Sequence, residues 1–191
     1  ALFGYSGHIP EKVEAGDIIQ MLNIGGVLGI CDSANPDKGK PFDCRVLGVV
    51  LQFPYLGERI GVPARAGYRK LDYDATLDTQ GVPVVALAGT CMEAGKTAAA
   101  CAIVSRMRHR GMTVDVFKAT GVSLRRDILA MEDAGARNSM IFTDLGIITT
   151  TRKVGPALTR VMLTELAAKK PDVIVYELGD GCTFEPLEPI Q

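Results

Sequence analysis

The chain carries a glycine-bounded loop, Gly89-Thr90-Cys91-Met92-Glu93-Ala94-Gly95-Lys96-Thr97. Residues 82–88 before it form a short apolar run, which predicts a buried strand. Residues 98–107 after it are rich in alanine and other good helix formers, which predicts a helix. A strand, a loop ending in Gly-Lys-Thr and a helix are the context in which such a loop binds phosphate. The alternative is a strand–turn–helix with a chance Gly-Lys-Thr.

The chemistry of this loop suits a nucleotide. Backbone N–H groups at a helix N-terminus have no intrahelical partners, and the helix dipole adds positive potential there. Lys96 offers a point charge for the terminal phosphates, and the Thr97 hydroxyl is a candidate ligand of Mg²⁺. The residues predicted to contact the nucleotide are Gly89, Thr90, Cys91, Met92, Glu93, Ala94, Gly95, Lys96, Thr97 and Ala98.

The spacing of the loop is uncommon, because five residues separate Gly89 from Gly95 where the common loop has four. With its internal Glu93, the loop resembles that of dethiobiotin synthetase and its relatives. The resemblance covers roughly residues 83–181 and is most specific at the loop. It implies a P-loop NTPase that uses ATP and Mg²⁺ to transfer the γ-phosphoryl group to a carboxylate-like acceptor. In that setting Glu93 would orient the loop or touch the metal shell.

Further site residues follow the next strands. Lys118 ends the predicted strand 113–120, where ligand-touching residues of an open parallel sheet lie. It is similar to the family's phosphate-binding lysine, and Asp127 is similar to an aspartate that holds Mg²⁺ there. Glu177 resembles the glutamate of a Glu-Gly-x-Gly-Gly segment that reaches Mg²⁺. This chain departs from that segment by Leu178 and by a second carboxylate, Asp180. The predicted catalytic residues are Lys96, Lys118 and Glu93, and the predicted metal ligands are Thr97, Asp127 and Glu177.

The sequence pattern divides the chain into two regions that are joined by a short polar segment. Residues 1–72 show short β-like runs at 17–22, 26–31 and 44–51 separated by glycine-rich turns, which predicts a small all-β, barrel-like domain. Residues 73–81 are polar and without periodicity, as in a linker. Residues 82–191 alternate strand and helix, which predicts an α/β domain with a mostly parallel sheet and crossover helices. Few strands are visible in it, so we expect this nucleotide-binding domain to be incomplete at its C-terminus.

The amino-acid composition and net charge argue against several classes of function. A hydrophobic fraction of 47% and a net charge of −1 argue for a packed core and against a nucleic-acid-coating surface. No apolar run reaches the length of about 20 residues that a membrane span needs. The scattered cysteines are typical of reduced thiols, so a cytoplasmic protein is expected. The expected partners are a nucleotide and a small-molecule substrate, with a homodimer as an open alternative.

Three functions remain open after this reading. The first is an ATP- and Mg²⁺-dependent ligase-type enzyme, in which the protein positions groups and stabilises charge during phosphoryl transfer. The second is a nucleotide-hydrolysing switch or binding module that acts on a protein partner. The third is a small-molecule kinase, for which the sequence shows no acceptor pocket.

Overall fold

The structure is a computed structural model that describes residues 5–55, 57, 59–65, 67, 70–91, 93–122, 124–151 and 153–181. It divides into two units, Ala1–Ala66 and Gly67–Gln191. We describe each unit by itself. Within the described ranges, no helix has the length and apolar character needed to cross a membrane.

The first unit is built from short antiparallel strands. They are β1 (Tyr5–His8), β2 (Ile18–Met21), β3 (Leu28–Ala34), β4 (Asp43–Arg45), β5 (Leu51–Gln52) and β6 (Val62–Pro63). The first four form a sheet in the order β1-β3-β2-β4, and β5 pairs only with β6 in a two-stranded ribbon. A short 3-10 helix, Pro36–Lys38, follows β3. Among its described residues, the unit is therefore all-β apart from one helical turn.

Two details of this unit differ from the sequence prediction. The expected strand 44–51 is split, because β4 ends at Arg45 and β5 begins at Leu51. Gly48 lies between them with φ +149°, a conformation that interrupts a regular strand. Moreover, no pairing among the described residues joins β4 to β1, so the larger sheet is open where a barrel was expected.

The second unit has a four-stranded, all-parallel sheet. Its strands are β7 (Val84–Gly89), β8 (Val114–Lys118), β9 (Asn138–Ile141) and β10 (Val173–Gly181), in the order β7-β10-β8-β9. The helices α1 (Lys96–His109), α2 (Arg125–Asp133) and α3 (Gly155–Ala168) connect successive strands. A 3-10 turn, Phe142–Leu145, follows β9. This unit is α/β, as the alternating pattern predicts.

The core of the second unit lies between the sheet and its helices. Helices α1 and α2 contact each other, whereas α3 packs on β8 and β10. Strand β8 is buried along its whole length. The apolar side chains of one stripe of α3 are also buried, and they are Leu158, Val161, Met162 and Leu166. The aromatic rings of Phe117 and Tyr176 stack with their centroids 4.7 Å apart across the β8–β10 pair.

The segment expected to be a linker belongs to the second unit by its contacts. Arg160 of α3 donates to the carbonyl oxygens of Ala75, at 2.9 Å, and Tyr73, at 3.0 Å. Thr164, one turn further, donates to the carbonyl of Thr76 and accepts from the Asp78 amide. Residues 73–78 therefore lie along α3, because side chains of that helix satisfy their backbone groups.

A buried ion pair holds the amino-terminal edge of the parallel sheet. Asp115 is fully buried at the start of β8, and Arg137 donates to both of its carboxylate oxygens, at 3.0 and 2.8 Å. Asn138 adds donors from its backbone and its side chain. The hydrogen bonds from Arg137 to Asp115 raise the pKa of the Arg137 guanidinium. The pair joins β8 to β9 at the edge opposite the candidate site.

Candidate functional site

The glycine-bounded loop joins β7 to α1 at the carboxyl edge of the sheet. Gly95, just before α1, has φ +80°, and Glu93 has φ +59°, so the loop turns through two left-handed residues. A Cβ at Gly89 would lie 3.1 Å from Cδ of Lys96, so glycine there leaves room for the lysine stem. Lys96 is 7% exposed, and its Nζ donates to the carbonyl of Cys91 at 2.8 Å. The lysine thus folds back over its own loop.

The start of α1 has the character of an anion site. Gly95 provides no side-chain cap, and the first turn of the helix contains no acidic residue. The first amides of a helix have no intrahelical acceptor, and the dipole adds positive potential beside them. Of the residues predicted to contact the nucleotide, Thr90, Cys91, Ala94 and Ala98 are exposed, and Met92 lies outside the described residues.

A hydroxyl and a carboxylate meet beside this helix start. Thr97 Oγ1 donates to Glu177 Oε2 at 2.8 Å. Glu177 is 4% exposed on β10, in register with Leu87 of β7 and Lys118 of β8. Because β10 lies between these two strands, Glu177 comes to the middle of the carboxyl edge. The topology thereby places its side chain against the second residue of α1.

A second ion pair lies on the other side of Glu177. Lys118 ends β8, and its Nζ contacts Asp127 Oδ2 in the first turn of α2. Both side chains are largely buried, with 7% of Lys118 and 14% of Asp127 exposed. Arg126 approaches the other oxygen of Asp127 at 3.6 Å, but its side chain is 79% exposed. Lys118 is therefore the main partner of this carboxylate.

These charges act on one another. Burial raises the pKa of Glu177, and the negative charge of Asp127 raises it further. The hydrogen bond from Thr97 and the positive charge of Lys118 lower that pKa. The pKa of the Cys101 thiol on α1 is also raised, first by burial and then by the negative charge of Glu177. The site therefore brings two ammonium groups, two carboxylates and a hydroxyl into one electrostatically coupled group.

Close backbone packing supports the ends of β8 and β10. The Gly179 amide donates to Thr120 Oγ1 at 3.0 Å, and the Gly121 amide donates to Thr150 Oγ1 at 2.8 Å. A Cβ at Gly179 would lie 2.2 Å from the carbonyl oxygen of Thr120, so glycine is required at this contact. The segments that follow Lys118 and Glu177 are thereby held against each other.

The residues present fit a magnesium ion bound together with a nucleotide. Mg²⁺ is usually held in proteins by one or two carboxylates, with waters and substrate phosphates completing its shell. Thr97, Glu177 and Asp127 supply a hydroxyl and two carboxylates of that kind. Within the described part of the chain, no three His, Cys, Asp or Glu side chains cluster as an all-protein metal site.

The structure brings most of the predicted site residues together. Lys96, Thr97, Lys118, Asp127 and Glu177 lie at the carboxyl edge of the parallel sheet. Glu93 differs, because it is exposed and its carboxylate makes no hydrogen bond to the described residues. The position of Glu93 thus gives no support to its predicted catalytic role.

Asp180 is the second carboxylate that the sequence places after Glu177; its backbone belongs to β10, but its side chain lies outside the described residues. No prediction from the sequence includes Thr150, which is buried and accepts a hydrogen bond from the Gly121 amide, 29 positions away in the chain. The only sign of this residue in the sequence is the threonine run at 149–151, and that run does not indicate which of its three hydroxyl groups is buried.

A comparison of the chain with protein-family models, curated proteins and solved structures finds no match. The geometry of the site is therefore the basis on which a function is inferred.

Proposed function

We propose that the second unit is a P-loop NTPase domain, similar to dethiobiotin synthetase, that binds ATP with Mg²⁺ and transfers the γ-phosphoryl group to a carboxylate-like acceptor. One observation carries the proposal. The loop lysine, a second lysine, two carboxylates and a hydroxyl converge beside the uncapped start of α1. Phosphoryl transfer depends mainly on positioning and charge stabilisation, for which such a group of residues is suited.

Each residue has a role in this proposal. Lys96 and Lys118 neutralise phosphate oxygens, while Thr97, Asp127 and Glu177 hold Mg²⁺. The ion, when bound, would supply positive charge that offsets the negative charge developing during phosphoryl transfer. A carboxylate acceptor is already ionised near neutral pH, so the site needs no general base to activate it.

The test is to trap the acyl phosphate that this reaction forms. The full chain is incubated with ATP, Mg²⁺, hydroxylamine and a panel of small carboxylic acids, and hydroxamate is measured together with ADP. We expect hydroxamate and ADP to appear in equal amounts with at least one acid. ADP release that no acid stimulates, without hydroxamate, would contradict the ligase-type reaction. The same panel run with GTP identifies the base that is preferred.

A matched pair of lysine variants provides the control. Lys96→Ala removes the loop ammonium and is expected to abolish product formation. Lys169→Ala removes an exposed lysine at the C-terminal end of α3 and is expected to retain it. Equal activity of the two variants would exclude the loop lysine from the reaction.

A nucleotide-driven switch is the second candidate, and a feature of the first unit favours it. Apolar side chains lie exposed on and around the β5–β6 ribbon, with Leu47 87%, Val50 79% and Ile60 77% exposed. Exposed apolar surface of this kind is typical of a site that contacts another protein. Hydrolysis stimulated by a protein partner, without any small acceptor, would favour this function over the ligase. Phosphate transferred to a metabolite hydroxyl would instead indicate a kinase.

A further inference from the structure

We propose, on the basis of the proposed function, that Lys118 exchanges one ionic partner for another. It pairs with Asp127 when no ligand is bound, and it moves to the nucleotide phosphates when a divalent cation binds to Asp127. Cation and nucleotide binding are thereby coupled. The structure captures the paired arrangement, in which Lys118 and Asp127 neutralise each other.

The surroundings of Lys118 allow this exchange. Its Cα partner across the β8–β10 pair is Glu177, and its ammonium contacts Asp127. A Cβ at Gly121 would lie 3.6 Å from Lys118 Cε, so the stem runs past a residue without a side chain. Gly121 has φ +108° and donates its amide to Thr150 Oγ1, and the Gly179 Cα lies 3.1 Å from the position that a Cβ of Gly121 would take. The lysine stem therefore passes backbone at this point, and Gly121 has no side chain that would restrict the direction of the ammonium.

Charge balance gives the exchange its direction. Lys96 and Lys118 oppose Asp127 and Glu177, so the described site is close to neutral without a ligand when both carboxylates are ionised. Drawing Lys118 towards phosphate in the absence of a cation would leave the largely buried Asp127 with only the exposed Arg126, at 3.6 Å, as a positive partner among the described residues, which is unfavourable. A divalent cation on Asp127 replaces the ammonium and removes that penalty. Reciprocal coupling of two ligands follows, because each favours the same arrangement of Lys118.

The test measures nucleotide affinity by calorimetry, with excess Mg²⁺ and with EDTA, in the full chain and in Asp127→Asn. Coupling free energies between two ligands commonly correspond to a factor of about 5–150 in affinity, and we expect the native chain to bind ATP more tightly with Mg²⁺ by a factor in that range. In Asp127→Asn, Lys118 has lost its anionic partner. This variant is therefore expected to bind ATP more tightly than the native chain in EDTA, and to lose most of the Mg²⁺ effect.

The control is Asp133→Asn, which makes the same chemical change at an exposed residue of the same helix. It is expected to keep the native ratio of the two affinities. General damage to the fold would weaken binding in both conditions, so tighter binding in EDTA distinguishes the exchange from a structural role of Asp127. Weaker binding of Asp127→Asn in EDTA, or an unchanged Mg²⁺ effect, would overturn the exchange.

A measurement on the native chain covers the case in which Asp127→Asn does not fold. With isotope-labelled lysine, the Lys118 side-chain resonance is expected to move when Mg²⁺ and ATP are added together, and a resonance that stays in place overturns the exchange. A different result would contradict the proposed function itself: native chain that binds no nucleotide either with excess Mg²⁺ or with EDTA. Binding that depends on Lys96 but shows no Asp127 effect overturns the exchange alone.

Discussion

Replacement of Thr97 by valine tests the hydrogen bond that joins α1 to β10. The substitution removes the hydroxyl that donates to Glu177 at 2.8 Å and leaves a side chain of similar shape. Glu177 is only 4% exposed, so water cannot readily replace the lost donor. A hydrogen bond to a charged group contributes about 1.5–3 kcal/mol and one between neutral groups about 0.5–1.5 kcal/mol. We therefore expect Thr97→Val to lower the free energy of unfolding by about 1.5–3 kcal/mol where Glu177 is ionised.

The cost of this substitution should depend on pH. Burial raises the pKa of Glu177, and the bond from Thr97 lowers it, so the variant has a still higher Glu177 pKa. The bond therefore favours the ionised carboxylate, and its stabilising effect is greatest above the Glu177 pKa. As the pH falls through that pKa, the effect declines towards the value of a neutral hydrogen bond. The stability difference between the native chain and the variant should shrink on acidification.

The assay is urea unfolding followed by far-ultraviolet circular dichroism, at mildly alkaline and at mildly acidic pH. Because α1, α2 and α3 all belong to the second unit, the helical signal reports on that unit. Thr97→Ser keeps the hydroxyl and serves as the control, with no pH-dependent loss expected. Equal destabilisation by Thr97→Val at both pH values would refute the reasoning, since the hydroxyl would then act without regard to the charge of Glu177.

Two further predictions concern the framework of the second unit. Asp115→Ala removes a fully buried carboxylate that accepts from Arg137, and should cost about 1.5–3 kcal/mol in urea unfolding, the range for a hydrogen bond to a charged group, because the remaining Arg137, with 36% of its side chain exposed, can be solvated. Nucleotide affinity should not change, and a loss below about 1 kcal/mol would contradict the role given to this pair. Gly179→Ala places a Cβ 2.2 Å from the Thr120 carbonyl oxygen and should lower stability by about 1–3 kcal/mol. A thermal-unfolding midpoint equal to that of the native chain would show that the backbone at this contact moves apart without loss of stability.

The second unit could be predicted well from sequence because its patterns are local. The apolar run before Gly89 and the alanine-rich run after Gly95 give β7 and α1 nearly at their observed bounds, although β7 is an edge strand whose residues are exposed or half-buried and not buried as predicted. Placement of Lys118 at the carboxyl edge follows because it ends β8, and Glu177 lies beside it in register, although β10 continues to Gly181. Their adjacency does not follow, because it depends on β10 lying between β7 and β8, and strand order arises from long-range packing.

The first unit was harder to predict for a physical reason. Its strands are short, and Ile19 and Leu22 are the only buried apolar side chains among its described residues. A hydrophobic pattern specifies register and closure only where one face is buried. The run 44–51 therefore resembles a single strand in sequence, although Gly48 divides it. The contacts of residues 73–75 were hard to predict for a related reason, since the Arg160 side chain that donates to their carbonyl oxygens lies far along the chain.

The most direct test of a phosphate site at residues 89–97 is to follow their backbone amides by nuclear magnetic resonance during titration with inorganic triphosphate. This account predicts that the amides of Gly95, Lys96 and Thr97 shift and saturate with triphosphate, that they respond in the same way to ATP, and that adenosine leaves them unchanged. Amides of this loop that stay in place at saturating triphosphate, while resonances elsewhere move, would contradict it.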